Sequence, residues 1–382
     1  ISEANYRKYL VIYENSSSGV SLDPKDLNEI QNLISESPSF IPSYSLLNRV
    51  GGYIYRNTRD EKVLTTVLSV INNAPLSIQE DKALKLAKIS ILLDLGKIEE
   101  SKLIFSTLKP EDDALFFSVI ESAIAFAEED YKKLLLLDRQ NAVWRPSVNN
   151  LYNLATSEFF VGNHEQAKEL VDKALSLSPD DSYALGLKAT IEMSLGNLPL
   201  ALKSYEAILK KSKDSTVYSN YGLALILSKK YEEAILANKK AIQINPNASL
   251  HHLNLADSYT LSGQLESARL SYDQVVILLS TPKTAQEFSS LAQAYSHLGK
   301  FKTAVKTLKT ANKKFPNVSE LDYAASIVNT LAENYIAAVV DVNDAINGGT
   351  APVWFSLEWF KPLCKYEDFT NITGAATNHL CK

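Results

Sequence analysis

The chain has 382 residues, 46% of them apolar and 22% charged, enough to bury a core and too apolar for intrinsic disorder. Its 39 basic and 44 acidic residues leave a net charge of −5, which argues against the basic footprint of a nucleic-acid binder. Gly and Pro number 13 each, about half their usual share, which disfavours turn-rich β-sandwiches and barrels and favours helices joined by short loops.

Taken in chain order, the first clear element is a helix carrying Leu27, Ile30, Leu33 and Ile34 on one face, opened by Asp23-Pro24. Ser16–Ser18 with Gly19 reads as a loop before it. Residues 41–58 and 61–73 form a helical pair ended by Pro75, and Gly96, Ile98, Phe105 and Pro110 fit another near 82–112. Phe116–Phe126 followed by Tyr131–Leu137 reads as a third pair with an abbreviated second helix. Residues 1–146 are thus helical pairs without a strict period, in an array that begins near residue 5 and holds about nine pairs in all.

Beyond residue 146 a ruler emerges. Ala167, Ala201, Ala234, Ala268, Ala304 and Ala338 are spaced by 34, 33, 34, 36 and 34 residues. Twelve residues before the first five stand Ala155, Ala189, Gly222, Ala256 and Ala292. Gly162, Gly196, Gly263 and Gly299 precede their alanines by five residues, Ala174, Ala241, Ala311 and Ala345 follow theirs by seven, and Pro179, Pro246 and Pro316 by twelve. Small residues suit a close crossing of two helices, the glycine a tight turn between them, and the proline the end of the second helix.

This pattern resembles the tetratricopeptide repeat (TPR) family. The clearest units fall at roughly 148–181, 182–214, 215–248, 249–284 and 285–318, with a degenerate one at 319–350. The resemblance implies an all-α fold, a right-handed superhelix of helical hairpins, with a regular array over 147–350 and a C-terminal aromatic cap over 351–382. Trp354, Phe355, Trp359 and Phe360 concentrate in that tail; they cover the open face of the last repeat or else form an exposed docking patch.

No catalytic constellation is visible. His164, His251, His252, His297 and His379 are scattered and lack cysteines at zinc spacing, and phosphate loops and nucleophile elbows are absent. The chain reads as non-catalytic, without metal or cofactor, and as a surface for a protein or peptide partner. The first helix of each repeat lines the concave face. Groove candidates are Tyr152, Asn153, Thr156 and Phe159, then Thr190 and Met193, then Asn220, Leu223 and Ile226. Asn254, Asp257 and Thr260 follow, then Ser289, Gln293 and Ser296. Asn153, Asn220 and Asn254 share one repeat position, where an amide can bind a peptide main chain or its own helix neighbours. The positions that form a basic carboxylate clamp in chaperone-binding TPR modules carry Tyr152, Thr156, Ser219, Leu223, Leu253 and Asp257; without cations, a chaperone-tail ligand is disfavoured. Glu158 and Glu192 occupy places where the repeat usually has Tyr, and a small helix rotation is expected to leave both in water.

Cys364 and Cys381 either close a loop as a disulfide in an oxidising compartment or are two unrelated thiols. No apolar run approaches the roughly 18–20 residues that cross a bilayer. The chain opens at Ile1 and has a single Met, Met193, which points to a piece of a longer protein. Gly348-Gly349 followed by Val353-Trp-Phe-Ser-Leu-Glu-Trp-Phe-Lys-Pro-Leu363 resembles the end of the exported TPR region of bacterial membrane-anchored winged-helix regulators or Ser/Thr protein kinases. That resemblance implies a sensor or scaffold region in the periplasm, as part of an inner-membrane protein, with both cysteines in an oxidising medium. A free-standing cytoplasmic adaptor and the regulatory arm of an enzyme are the competing expectations.

Overall fold

The computed structural model describes residues 1–17, 22–58, 60–108, 114–211 and 213–382. Among these the regular structure is helical throughout. The helices are α1 (Glu3–Ser17), α2 (Pro24–Glu36), α3 (Ile41–Thr58), α4 (Glu61–Asn72), the short α5 (Leu76–Gln79), α6 (Lys82–Asp94) and α7 (Ile98–Phe105). They continue with α8 (Ala114–Ala127), α9 (Tyr131–Trp144), α10 (Val148–Phe160), α11 (His164–Leu177), α12 (Ser182–Ser194), α13 (Leu198–Lys211) and α14 (Ser215–Leu227). The last are α15 (Tyr231–Ile244), α16 (Ser249–Leu261), α17 (Leu265–Leu278), α18 (Ala285–His297), α19 (Phe301–Lys314), α20 (Ser319–Leu331), α21 (Tyr335–Asn347) and α22 (Glu367–Thr373). Tight 3₁₀ turns at Pro352–Ser356, Glu358–Lys365 and Gly374–Thr377 complete the tail.

Local signals set these boundaries. Asp23 caps α2 in a reciprocal box with Asp26, and Asp60, Asp81, Ser147, Asp181, Asp214 and Thr284 each accept a backbone N–H at the start of their helix. Pro179, Pro246 and Pro316 stand two residues beyond the ends of α11, α15 and α19. Two expectations need correction. The second helix after Tyr131 is full length and runs to Trp144, because Leu134, Asp138 and Ala142 keep one face buried past Leu137. The expected loop at Ser16 is helical through Ser17; Ser18 and Gly19, and Pro110, lie outside the described residues.

The chain divides into two compact units, residues 1–117 and 118–382, with the division inside α8. The boundary at 146 marked where the repeat becomes strict, which is a different property from compactness. In the first unit a core from Ile12 to Leu95 joins α1–α6. Gly51 lets α3 and α4 cross closely, since a Cβ there would meet Val67 Cγ2 at 2.5 Å.

In the second unit the ruler alanines are buried, five of the six with no exposed area at all, as are Ala155, Ala189, Ala256 and Ala292 opposite them. The turn residue five before each has positive φ: Gly162, Gly196, Gly263 and Gly299, but also Lys229 and Glu333. Gly96 and Glu129 share this conformation, which extends the ruler upstream through the buried Ser101 and Leu134 at spacings of 33. Those two pairs therefore keep the sequence spacing and turn conformation of the regular array.

The second unit closes on itself. The Glu129 carboxylate, in the α8–α9 turn, accepts the backbone N–H of Ala285 at the start of α18 at 2.9 Å. Tyr131 packs against the core of Phe288, Phe315 and Leu321. Gly162 and Gly349 touch backbone to backbone, and a Cβ on Gly162 would lie 2.5 Å from Gly349 Cα.

The zero exposure of Ala234 makes a direct test of the close crossing. Ala234→Leu is expected to lower stability by about 1–3 kcal/mol through overpacking, read as a lower urea midpoint. Glu233→Leu, on the exposed side of the same turn, should leave the midpoint nearly unchanged.

Candidate functional site

The inner surface of the second unit is built from the first helices of its pairs, and the C-terminal segment is packed into it. Val353, Phe355, Leu357, Phe360, Leu363, Phe369 and Leu380 share one core with Ala189 and Met193 of α12 and Ala224–Leu227 of α14. Ile327 of α20 and Ala338, Val339, Val342 and Ala345 of α21 belong to it too, as do Tyr205 of α13 and Ala234 of α15. The aromatic tail therefore caps the last pair, as expected, and also reaches helices more than a hundred residues earlier. Phe355, Phe360 and Phe369 have no exposed area, which settles the choice between cap and exposed patch for these rings. Lys229 pairs with Glu358 at 2.9 Å, and Tyr323 lies edge-on to Phe355. Cys364 and Cys381 form a disulfide across 17 residues, closing the end of the tail into a loop.

The candidate groove residues divide into two groups. Tyr152, Asn153, Thr156, Phe159, Asn220 and Leu223 are half-buried, and the amides of Asn153 and Asn220 have no hydrogen-bond partner among the described residues. Tyr152 meets Tyr183 edge-on, Phe159 packs on His164, and Leu223 leans on the core that contains the tail. Met193, Asn254, Asp257 and Gln293 are instead buried at 2–8% exposure. Met193 is in the core with the tail. Asn254 Nδ2 donates to Ser219 Oγ at 2.9 Å, Tyr272 OH donates to Asp257 at 2.6 Å, and Gln293 Nε2 donates to Ser289 Oγ at 3.1 Å. These polar groups are spent within the chain; for Asn254 that is the second use an amide at its position has.

One polar chain links the inner surface to the tail. Asp257 holds Tyr272, whose ring stacks on His297 at 4.7 Å, and His297 meets Trp359 edge-on at 5.3 Å. Burial pushes the Asp257 carboxyl up to about 7 and the His297 imidazole down to about 4. Both groups are thus biased toward their neutral forms.

Glu158 and Glu192 are buried, against the expectation that they stay in water. Each is paired: Arg139 and Asn163 hold Glu158 at 2.7 Å, and Lys168 at 3.0 Å and Asn197 at 2.7 Å hold Glu192. Both amides belong to the turn five residues on, so the arrangement repeats with the period. Among the described residues no group of three or more His, Cys, Asp or Glu side chains is placed to hold a metal ion, and no helix is long and apolar enough to cross a membrane.

Residues 152–216, 187–249 and 290–317 match family models described as tetratricopeptide repeat. The chain carries tetratricopeptide repeats. A TPR repeat-containing protein of Methanocaldococcus jannaschii is 25% identical over 126 residues, 33% of this chain and 22% of that protein. The Protein O-mannosyl-transferase TMTC3 of Homo sapiens is 31% identical over 140 residues, 35% of this chain and 14% of that protein. The chain thus spans less than a quarter of the length of either relative. A solved tetratricopeptide repeat protein from Parabacteroides merdae aligns over 69% of this chain and 99% of its own, at 16% identity and a TM-score of 0.43.

In these TPR units the sequence pattern located the small-residue rows and the inner helix faces. It missed the Asp257–Tyr272–His297–Trp359 chain, whose members come from two pairs and the tail. Tyr272 and His297 each lie fifteen or more residues from their partners, and no local spacing marks them.

Asp257 gives the pH dependence a sign. Its folded pKa lies above the usual carboxylate value, so the folded chain binds the extra proton. That stability is fully present below about pH 4 and is lost as pH rises toward about 7. Asp257→Asn, which keeps an acceptor for Tyr272, should flatten this fall. Urea midpoints measured across that range are expected to converge with wild type at acid pH and exceed it at neutral pH.

Proposed function

We propose that this chain is a non-catalytic protein- or peptide-binding scaffold. On this reading it is the sensor region of a membrane-anchored bacterial signalling protein whose effector is a transcription regulator or a Ser/Thr kinase. The observation that carries the binding reading is the tail itself. The inner face of the TPR array holds a non-helical-hairpin segment rich in aromatic side chains, Phe355, Phe360 and Trp359 among them. A surface that accepts such a segment in cis has the shape and chemistry to accept one in trans. The half-buried Tyr152, Asn153, Thr156, Phe159, Asn220 and Leu223 offer the partner partly exposed rings and the amides of Asn153 and Asn220, which have no hydrogen-bond partner among the described residues.

The placement outside the cytoplasm is supported by the pairing of Cys364 with Cys381, since structural disulfides persist in oxidising compartments. The signalling context is supported by the tail motif that follows Gly349. The matched segments make up 22% and 14% of the two relatives, and this chain's role is proposed in the same modular sense.

Two measurements test the reading. A photo-crosslinking residue in place of Tyr152 or Asn220 is expected to capture one partner polypeptide in the native cell, while the same residue in place of Lys173, on the exposed side of α11, captures none. Capture only from the outer position would overturn groove binding. Thiol titration of the protein isolated from its native compartment is expected to find both cysteines blocked until a reductant is added. Two free thiols would favour the cytoplasmic adaptor instead.

A further inference from the structure

The outward side of the second helix in each pair is set by four positions relative to the ruler alanine: two before it, then two, five and nine after. In α19 all four are lysine: Lys302, Lys306, Lys309 and Lys313. Spacings of four, three and four place them in one row along a single helix face. All four are exposed, while Ala304, Leu308 and Ala311 bury the opposite face. The repeat does not require this row, because α11 has Glu165, Glu169 and Asp172 at the first three of these positions and α17 has Glu266, Leu270, Asp273 and Ile277. Nor does the composition, since the chain carries a net charge of −5.

α19 contains no acidic residue, and among the described residues none of the four ammonium groups has an ion pair or hydrogen bond. The neighbouring carboxylate Asp273 on α17 lies 3.9 Å from Lys300, just ahead of the row. Large aliphatic side chains are also exposed on these two helices: Val305 at 53% on α19, beside Lys306 in sequence, and Leu270 at 72% and Ile277 at 66% on the outward positions of α17. Four like charges in line on one helix face repel one another mildly, and no carboxylate of α19 relieves them.

We propose that this face of α19 and α17 docks on an anionic lipid bilayer. Lysine is a hydrated point charge on a flexible stem, suited to a diffuse array of phosphates, where arginine's fork suits a single carboxylate or phosphate. The row lies on an outward helix face, and aliphatic side chains are exposed on α19 and α17. It has no aromatic platform of the kind that stacks bases. Leu270, Ile277 and Val305 supply the shallow apolar contact that interfacial helices make below the headgroups.

Vesicle flotation with the full chain tests this. Binding is expected to vesicles of phosphatidylcholine with phosphatidylglycerol and not to phosphatidylcholine alone, and to fall in high salt. Each lysine near an anionic surface contributes about fivefold, so K302Q/K306Q/K309Q/K313Q should weaken partitioning at least ~100-fold with helicity unchanged. K132Q/K133Q/K173Q/K203Q makes the same change in net charge at exposed lysines elsewhere and should bind as wild type. L270S/I277S should weaken binding while keeping its salt dependence. Equal binding to neutral and anionic vesicles, or full binding by the α19 variant, would overturn the proposal. So would tighter binding to duplex DNA or to polyglutamate than to the anionic vesicles, which would reassign the row to a nucleic acid or an acidic protein.

Discussion

The distance between the two helices of a pair governs the second unit. Where Ala155 faces Ala167, or Ala256 faces Ala268, nothing larger than a methyl group separates the backbones, and each pair is a thin wedge with a fixed angle. Wedges of fixed angle stack into a curve. The curve is tight enough that the turn at Gly162 meets the turn at Gly349, and only glycine permits contact at that range. The surface on the inside of the curve is apolar at Ala189, Met193 and Ile226. Water there would be confined against hydrocarbon, and the tail's phenylalanines exclude it.

The tail thus has two roles that draw on the same contacts. It covers the last pair, as the terminal element of any repeat array must, and it occupies the face with which such arrays engage partners. The polar groups on that face show the same division. Asn254 and Asp257 link neighbouring helices through hydrogen bonds and Gln293 bonds within its own helix, while Asn153 and Asn220, at the same repeat position as Asn254, keep free amides among the described residues. That one position serves architecture at Asn254 and is unspent at the other two.

Much of this was written in the order of residues. The alanine rows, the glycine turns and the closing prolines are local and periodic, so they could be read without coordinates. The pairs around Ser101 and Leu134 were legible as helical pairs, but their place on the ruler was not, because Ser and Leu stand there in place of Ala; the φ of Gly96 and Glu129 revealed it. The burial of Glu158 was not legible because its partner Arg139 lies in the preceding pair. The position of the tail was not legible either. Its aromatic content announced burial, but contact between Phe355 and α12 depends on the accumulated curvature of all the intervening pairs, a quantity that no short window contains.

That long-range core changes how the array should fold. In an open solenoid each unit touches only its neighbours, so stability is a sum of adjacent terms and folding can spread from any point. Here one core joins Ala189 to Leu380, and the tail completes a layer begun nearly two hundred residues earlier. A nascent chain released short of Val353 would expose the inner faces of α12, α14 and α20 together, an apolar strip with the hazards of a partly folded intermediate. The folded chain gains in return a cooperativity that nearest-neighbour stacking alone does not supply: α12, α14, α20 and α21 are committed to the folded state by the same set of side chains.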